Sequence, residues 1–130
     1  MRKKNSLSEF AQERSELLLK NFRASLARQS QISMMKAFRE AAEAPAPRFW
    51  VSEERTLRII KKMLGGEDPT MAMNLEKRKM YREIFSRVCE MMVEQPHATL
   101  GDIVFQVVND EAPSFYISPN TVRNILSNLR

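Results

Sequence analysis

Residues 116–130, YISPNTVRNILSNLR, carry the signals of a complete short helix. Ser118 suits the N-cap, and Pro119 follows at the first helical position, where its missing N–H costs nothing. Ile117 and Val122 have the spacing of a hydrophobic staple across that cap. The apolar residues of the helix form one stripe: Val122, Ile125, Leu126 and Leu129. The stretch therefore predicts a helix with one buried face and one polar face.

The central part of the chain repeats this pattern of capped helices. Ser52, Asn74 and Thr99 are each placed as an N-cap, and Gly65 suits the left-handed end of a helix. The predicted buried stripes are Leu57, Ile60 and Leu64 in the first helix, and Tyr81, Ile84, Phe85, Val88, Met91 and Met92 in the second. The segment DIVFQVV, residues 102–108, is rich in β-branched residues, but its apolar spacing fits a third helix better than a strand.

Residues 1–44 predict a separate helical arm. The Ser6–Glu9 spacing is that of a capping box, which predicts a helix start near Leu7. An apolar stripe follows: Leu7, Phe10, Ala11, Leu18, Phe22 and Leu26. The pattern blurs at RQSQIS and resumes at Ile32, Met35, Phe38 and Ala42, so one bent helix and two helices both remain open.

Prolines at positions 45 and 47 favour an extended linker that holds the arm away from the rest of the chain. An isolated helix of this length is only marginally stable in water, so its apolar stripe should be buried against another surface. We expect a second copy of the chain or another protein to supply it. The partner-binding residues predicted on the arm are Phe10, Leu18, Phe22 and Leu26.

These elements predict an all-α fold. Only three glycines occur among the 130 residues, and strong helix formers are abundant. The predicted organisation is an arm over residues 1–44, a linker over 45–51, and a compact bundle of about four short helices over 52–130. The bundle's C-terminal part, 99–130, is expected to be helix-turn-helix-like.

The net charge of +5 is unevenly distributed along the chain. Residues 1–47 carry nine Lys/Arg against five Asp/Glu, whereas residues 96–130 carry two against three. A nucleic-acid partner should therefore contact earlier parts of the chain as well as the last helix.

Enzyme and membrane functions receive little support from the residues present. His97 is the only histidine and Cys89 the only cysteine, whereas structural zinc usually takes four such ligands. We predict no catalytic residue, no metal site and no cofactor, and therefore a protein that is not an enzyme. The longest purely apolar runs are three to five residues, far short of a membrane span. A cytoplasmic location without membrane contact is the simplest expectation.

The polar face of the last helix carries the side-chain types that hydrogen-bond base edges and phosphates. The DNA-binding residues predicted there are Asn120, Thr121, Arg123, Asn124 and Ser127. Residues 99–130 resemble a helix-turn-helix, and SPNTVRNIL is similar to the S-P-x-T-V-x-x-I-L recognition helix of bacterial regulators. The resemblance implies that helix 75–94 supports the recognition helix. The basic run KRKMYR is expected to add phosphate contacts at Lys79 and Arg82.

Two further stretches, RFWVSEERTLRIIKKML and KRKMYREIF, resemble small uncharacterised bacterial proteins associated with mobile elements. This resemblance brings no established activity, but it favours DNA work linked to phages or transposons. With the helix-turn-helix resemblance, we expect a double-stranded DNA partner, in regulation or in mobile-element maintenance. Two observations oppose the helix-turn-helix. The turn NDEAPSFY is about eight residues, longer than in the motif, and its Asp110 and Glu111 would repel phosphate. The alternative is a non-enzymatic helical adaptor that binds a protein through the arm.

Overall fold

A computed structural model describes the backbone of residues 2–129 and the side chains of residues 10–129. Six α-helices follow one another: α1 (Arg2–Arg28), α2 (Met34–Glu43), α3 (Glu53–Leu64), α4 (Leu75–Glu94), α5 (Leu100–Val108) and α6 (Pro119–Ser127). A short 3-10 helix, Pro69–Ala72, lies between α3 and α4. No strand occurs in the described part of the chain, so the predicted all-α class is confirmed and the segment 102–108 is helical.

Local side-chain chemistry accounts for most helix starts. The oxygens of Ser52, Asn74, Thr99 and Ser118 each accept a hydrogen bond from the backbone N–H three residues ahead, as predicted. The arm contains two helices, α1 and α2, which is one of the two alternatives that the sequence left open. It differs from its prediction at the start, because α1 begins at Arg2 rather than near Leu7. The side chains of Ser6, Leu7 and Glu9 lie outside the described residues.

The chain divides into two compact units. The first, called here the terminal unit, comprises Met1–Pro45 together with Pro113–Arg130, and thus α1, α2 and α6. The second, the central unit, comprises Ala46–Ala112 with α3, α4 and α5. This division differs from the predicted arm 1–44 and bundle 52–130, because α6 packs against α2 and α1. The predicted helix-turn-helix range 99–130 is likewise divided, with α5 in one unit and α6 in the other.

The core of the terminal unit joins all three of its helices. Leu18 of α1 and Val122 of α6 are fully buried, and Phe38 of α2 is 7% exposed. The Phe22 ring stacks on Phe38 with 5.1 Å between ring centroids. Leu18 and Phe22, two of the residues predicted to bind a partner, are therefore packed within the chain itself.

The central unit has its own apolar core under α3, α4 and α5. Its largest fully buried side chains include Tyr81, Phe49, Ile60, Ile84 and Ile103. Its first and last residues are joined by two backbone hydrogen bonds, Ala46 N to Ala112 O at 2.9 Å and Ala112 N to Ala46 O at 2.8 Å. The unit is therefore closed at its own ends.

Some residues predicted to lie in buried stripes are exposed instead. The clearest cases are Ile32 (63% exposed), Met35 (44%), Leu64 (40%), Met92 (39%) and Leu129 (43%). Each lies at or beyond the end of a helix. Helical periodicity continues to such positions even where no neighbouring element is left to cover them.

Candidate nucleic-acid interface

The segment just before α6 is anchored to the end of α2. The Phe115 N–H and the Ser114 hydroxyl both donate to the carbonyl of Ala42, at 2.9 and 3.1 Å. Three residues later Ser118 caps α6, its Oγ accepting from the Thr121 N–H at 3.1 Å. The start of α6 is therefore held at a defined place on the terminal unit.

All five residues predicted on the polar face of α6 are exposed: Asn120, Thr121, Arg123, Asn124 and Ser127. Between them Val122 points inward and is fully buried. Asn120, Arg123 and Asn124 are three and four residues apart, so they lie on one ridge of the helix. The Ser127 hydroxyl already donates to the Arg123 carbonyl at 2.8 Å, which leaves it less available to a ligand.

The two remaining predicted DNA contacts lie in the central unit rather than with α6. Lys79 is 3.9 Å from Glu76, and Arg82 is 3.4 Å from Asp68. The structure therefore does not bring Lys79 and Arg82 into the same unit as α6. Each of them also has an acidic neighbour that offsets its charge.

Basic and acidic side chains are unequally distributed between the two units. The terminal unit carries eleven Lys/Arg against five Asp/Glu, a net charge of +6. The central unit carries ten against eleven, a net charge of −1. Asp102, Asp110 and Glu111, the acids that weighed against a nucleic-acid role for the last segment, all belong to the central unit. Residues 113–130 contain no acid.

Exposed cations of α1 and α2 were missed as candidate site residues. They are Lys20, Arg23, Arg28, Lys36 and Arg39. Arg28 is partly neutralised by Glu40, 3.2 Å away. The Ser25 hydroxyl donates to Glu40 at 2.6 Å, and this hydrogen bond is the main cause that holds the pKa of Glu40 below its ordinary value. Only the net charge of residues 1–47 pointed to this surface in the sequence.

A groove in the central unit has the opposite character. It has a volume of about 390 Å³ between α4 and α5. Its rim includes the carboxylates of Glu90, Glu94, Asp110 and Glu111, with Arg87 as the only cation among its lining residues. Phosphate groups would be repelled there, so this groove does not suit a nucleic acid.

The described residues also bear on metal, membrane and thiol sites. Among those residues, no group of three or more His, Cys, Asp and Glu side chains could hold a metal ion. None of the described helices is long and apolar enough to cross a membrane. Cys89 is a free, half-buried thiol.

No protein-family model, curated protein or solved structure matches the chain.

Proposed function

We propose that this protein is a non-enzymatic binder of double-stranded DNA that acts through the exposed face of α6. The proposal rests on the unequal net charge of the two units. The unit that contains α6 has a net charge of +6, and the other unit has −1. Attraction to phosphate supplies most of the sequence-independent affinity of DNA-binding proteins, so the helix lies in the unit that DNA would approach.

The chemistry of the α6 ridge suits base edges. Arginine forms paired hydrogen bonds with guanine, and asparagine does so with adenine. Arg123 and Asn124 supply these two groups side by side, and Asn120 lies one turn before them. The buried Val122 holds the other side of α6 on α1 and α2, so the ridge is presented on a packed helix.

Phosphate contacts are assigned to the terminal unit. Lys36 and Arg39 are exposed on α2, and Lys20 and Arg23 are exposed on α1. We therefore propose these four cations, rather than Lys79 and Arg82, as the phosphate contacts. In this arrangement α2 takes the supporting place of a helix-turn-helix, although it lies far from α6 in the sequence.

A partner-binding role for the arm stripe is not part of the proposal. Leu18 is fully buried, so it is not available without opening the terminal unit, and the half-buried Phe22 is stacked on Phe38. Phe10 and Leu26 are half-buried on the same helix.

Fluorescence anisotropy with labelled duplex DNA over a salt series tests the proposal. We expect Arg123→Ala to weaken binding to a preferred sequence by about 1–3 kcal/mol. Lys36→Ala should weaken binding to all DNA sequences alike. It should also reduce the slope of log affinity against log salt concentration by about 1. The matched control is Lys61→Ala, an exposed lysine of the central unit, which should change neither quantity.

Two results would contradict DNA binding. One is no binding at protein concentrations on the order of tens of micromolar at low salt, where even non-specific binders associate. The other is an affinity that does not change with salt, because phosphate contacts release counterions.

A further inference from the structure

Three exposed apolar side chains lie where the turn after α1 leads into the first residues of α2. They are Ile32 (63% exposed), Met34 (50%) and Met35 (44%), and they are called here the apolar tip. The tip lies in the terminal unit, in which Arg28, Lys36 and Arg39 are nearby exposed cations along the chain. The tip is thus an apolar point flanked by positive charge.

The backbone under the tip is locked by a single glutamine. Gln29 accepts from the Ser33 N–H at 2.6 Å and donates to the Ser33 carbonyl at 3.2 Å. It also donates to the buried Ser25 hydroxyl at 3.2 Å. Ser33 in turn caps α2, accepting from the Lys36 N–H at 3.2 Å. The tip is therefore presented on an ordered turn, which lowers the entropy cost of inserting it into a ligand.

The charges around the tip indicate the kind of partner. A second copy would bring the same cations against them, and like charges repel. A polyanion with an apolar interior is complementary: its outer charges meet the cations and its interior accepts the tip. Duplex DNA has this form, with phosphates outside and stacked bases within.

The length of α2, which separates the tip from the segment just before α6, fits the spacing of adjacent grooves. Helix α2 has 10 residues and is therefore about 15 Å long, with the tip at its start. Its end is bonded to Phe115, just before α6. One turn of DNA spans about 34–36 Å, so a major groove and the next minor groove on one face are about 17 Å apart.

Resting on the proposed function, we propose that the apolar tip is a second DNA contact, which inserts Ile32 and Met35 between base pairs from the minor groove. Isoleucine and methionine are among the side chains that act as such wedges, and insertion bends the duplex by about 20–90°. α6 then occupies the neighbouring major groove.

Energy transfer between dyes at the two ends of a duplex of about 30 base pairs measures the bend, while anisotropy measures binding on the same samples. The test variant is Ile32→Ala/Met35→Ala. The matched control is Met71→Ala, which removes an apolar side chain of equal exposure, 62%, from the central unit. Thermal melts of all three proteins check folding.

We expect the wild type and the Met71→Ala control to raise energy transfer when they bind. The tip variant should still bind in a salt-dependent way but leave the duplex straight, and Arg123→Ala should bind more weakly while its bound complexes remain bent. Wild-type binding without a change in energy transfer overturns the wedge and leaves the proposed function standing. Absence of any DNA binding overturns both.

Vesicles of phosphatidylcholine with and without phosphatidylserine give the competing outcome. Binding to the anionic vesicles that is lost in the tip variant, with a duplex that stays straight, would assign the tip to a lipid surface and overturn the proposal.

Discussion

At the scale of single residues, Glu40 is the carboxylate with the most defined surroundings in the terminal unit. The Ser25 hydroxyl donates to it at 2.6 Å and Arg28 lies 3.2 Å away. Both interactions favour the charged form, and the pKa of Glu40 is lowered in the folded chain. A lowered pKa means that folding favours the ionised carboxylate, so stability depends on pH through this group.

The sign of this dependence gives a prediction. The contribution of Glu40 is present above the ordinary pKa of glutamate and is lost as the pH falls through the lowered pKa of the folded state. Glu40→Gln should therefore lower the melting temperature at neutral pH, and the difference from the wild type should shrink as the pH falls. Circular dichroism melts over a pH series measure it.

Two features sharpen that comparison. Asp68 in the central unit also has a lowered pKa, chiefly through the Thr70 hydroxyl, but it is present in both proteins and cancels in the difference. Glu43→Gln, an exposed glutamate of the same helix, is the control. If the melting temperatures of the wild type and Glu40→Gln differ by the same amount at every pH, the pH dependence of stability does not come from Glu40.

Single residues also mark a limit of sequence-based prediction. The N-caps were predictable because a cap needs only a side-chain oxygen three residues from an N–H. Tyr116 was not. Its φ of 57° lies in the left-handed region, which costs a residue other than glycine about 1–2 kcal/mol. The Tyr116 N–H donates to the Ser114 hydroxyl at 3.0 Å, and Ser114 and Phe115 are bonded to Ala42, a contact distant in the sequence that spacing alone does not reveal.

At the scale of elements, apolar periodicity predicted that helices exist but not which helices meet. The stripes of the arm and of the last helix indicated buried faces, and Leu18 and Val122 of these stripes are fully buried in the unit where α1 and α6 both pack on α2. The prolines at 45 and 47 suggested separation, whereas the chain returns at residue 113 to complete the same core. The polar ridge of α6 was predictable from spacing, but that it shares a unit with the exposed cations of α1 and α2 required the tertiary structure.

The shared core of α1, α2 and α6 gives an element-scale prediction. Leu18→Ala should destabilise the terminal unit by about 2–5 kcal/mol, because it empties a fully buried site. Leu129→Ala, at a position 43% exposed, should change stability by less than about 0.5 kcal/mol. Urea unfolding followed by circular dichroism measures both.

Equal stability of Leu18→Ala and wild type would show that α1 does not contribute to this core. A second reading comes from hydrogen exchange. The amides of α6 should lose protection in Leu18→Ala, since α6 packs on the helices that Leu18 holds together.

At the scale of the whole molecule, the two units differ in continuity. Residues 46–112 form the central unit without help from the rest of the chain, and they are closed by the Ala46–Ala112 hydrogen bonds. We expect a fragment of residues 46–112 to unfold in one cooperative thermal transition. A fragment of residues 46–130 should show the same transition, with its α6 amides exchanging at unfolded rates because α1 and α2 are missing.

Protected α6 amides in the 46–130 fragment would contradict the observed division and restore the predicted bundle of residues 52–130. Amide exchange resolved by residue distinguishes these results directly.

Because the terminal unit is built from two distant stretches of chain, its folding depends on the order of synthesis. Helices α1 and α2 leave the ribosome 67 residues ahead of the segment that contains α6. At about 5–20 residues per second, the delay is roughly 3 to 13 seconds. During that time the nascent α1 and α2 have no α6 to cover them, while the contiguous central unit has all its residues first. In the cell, the terminal unit is therefore the part that chaperones would meet unfinished, and the DNA binding proposed for α6 would begin only after this wait.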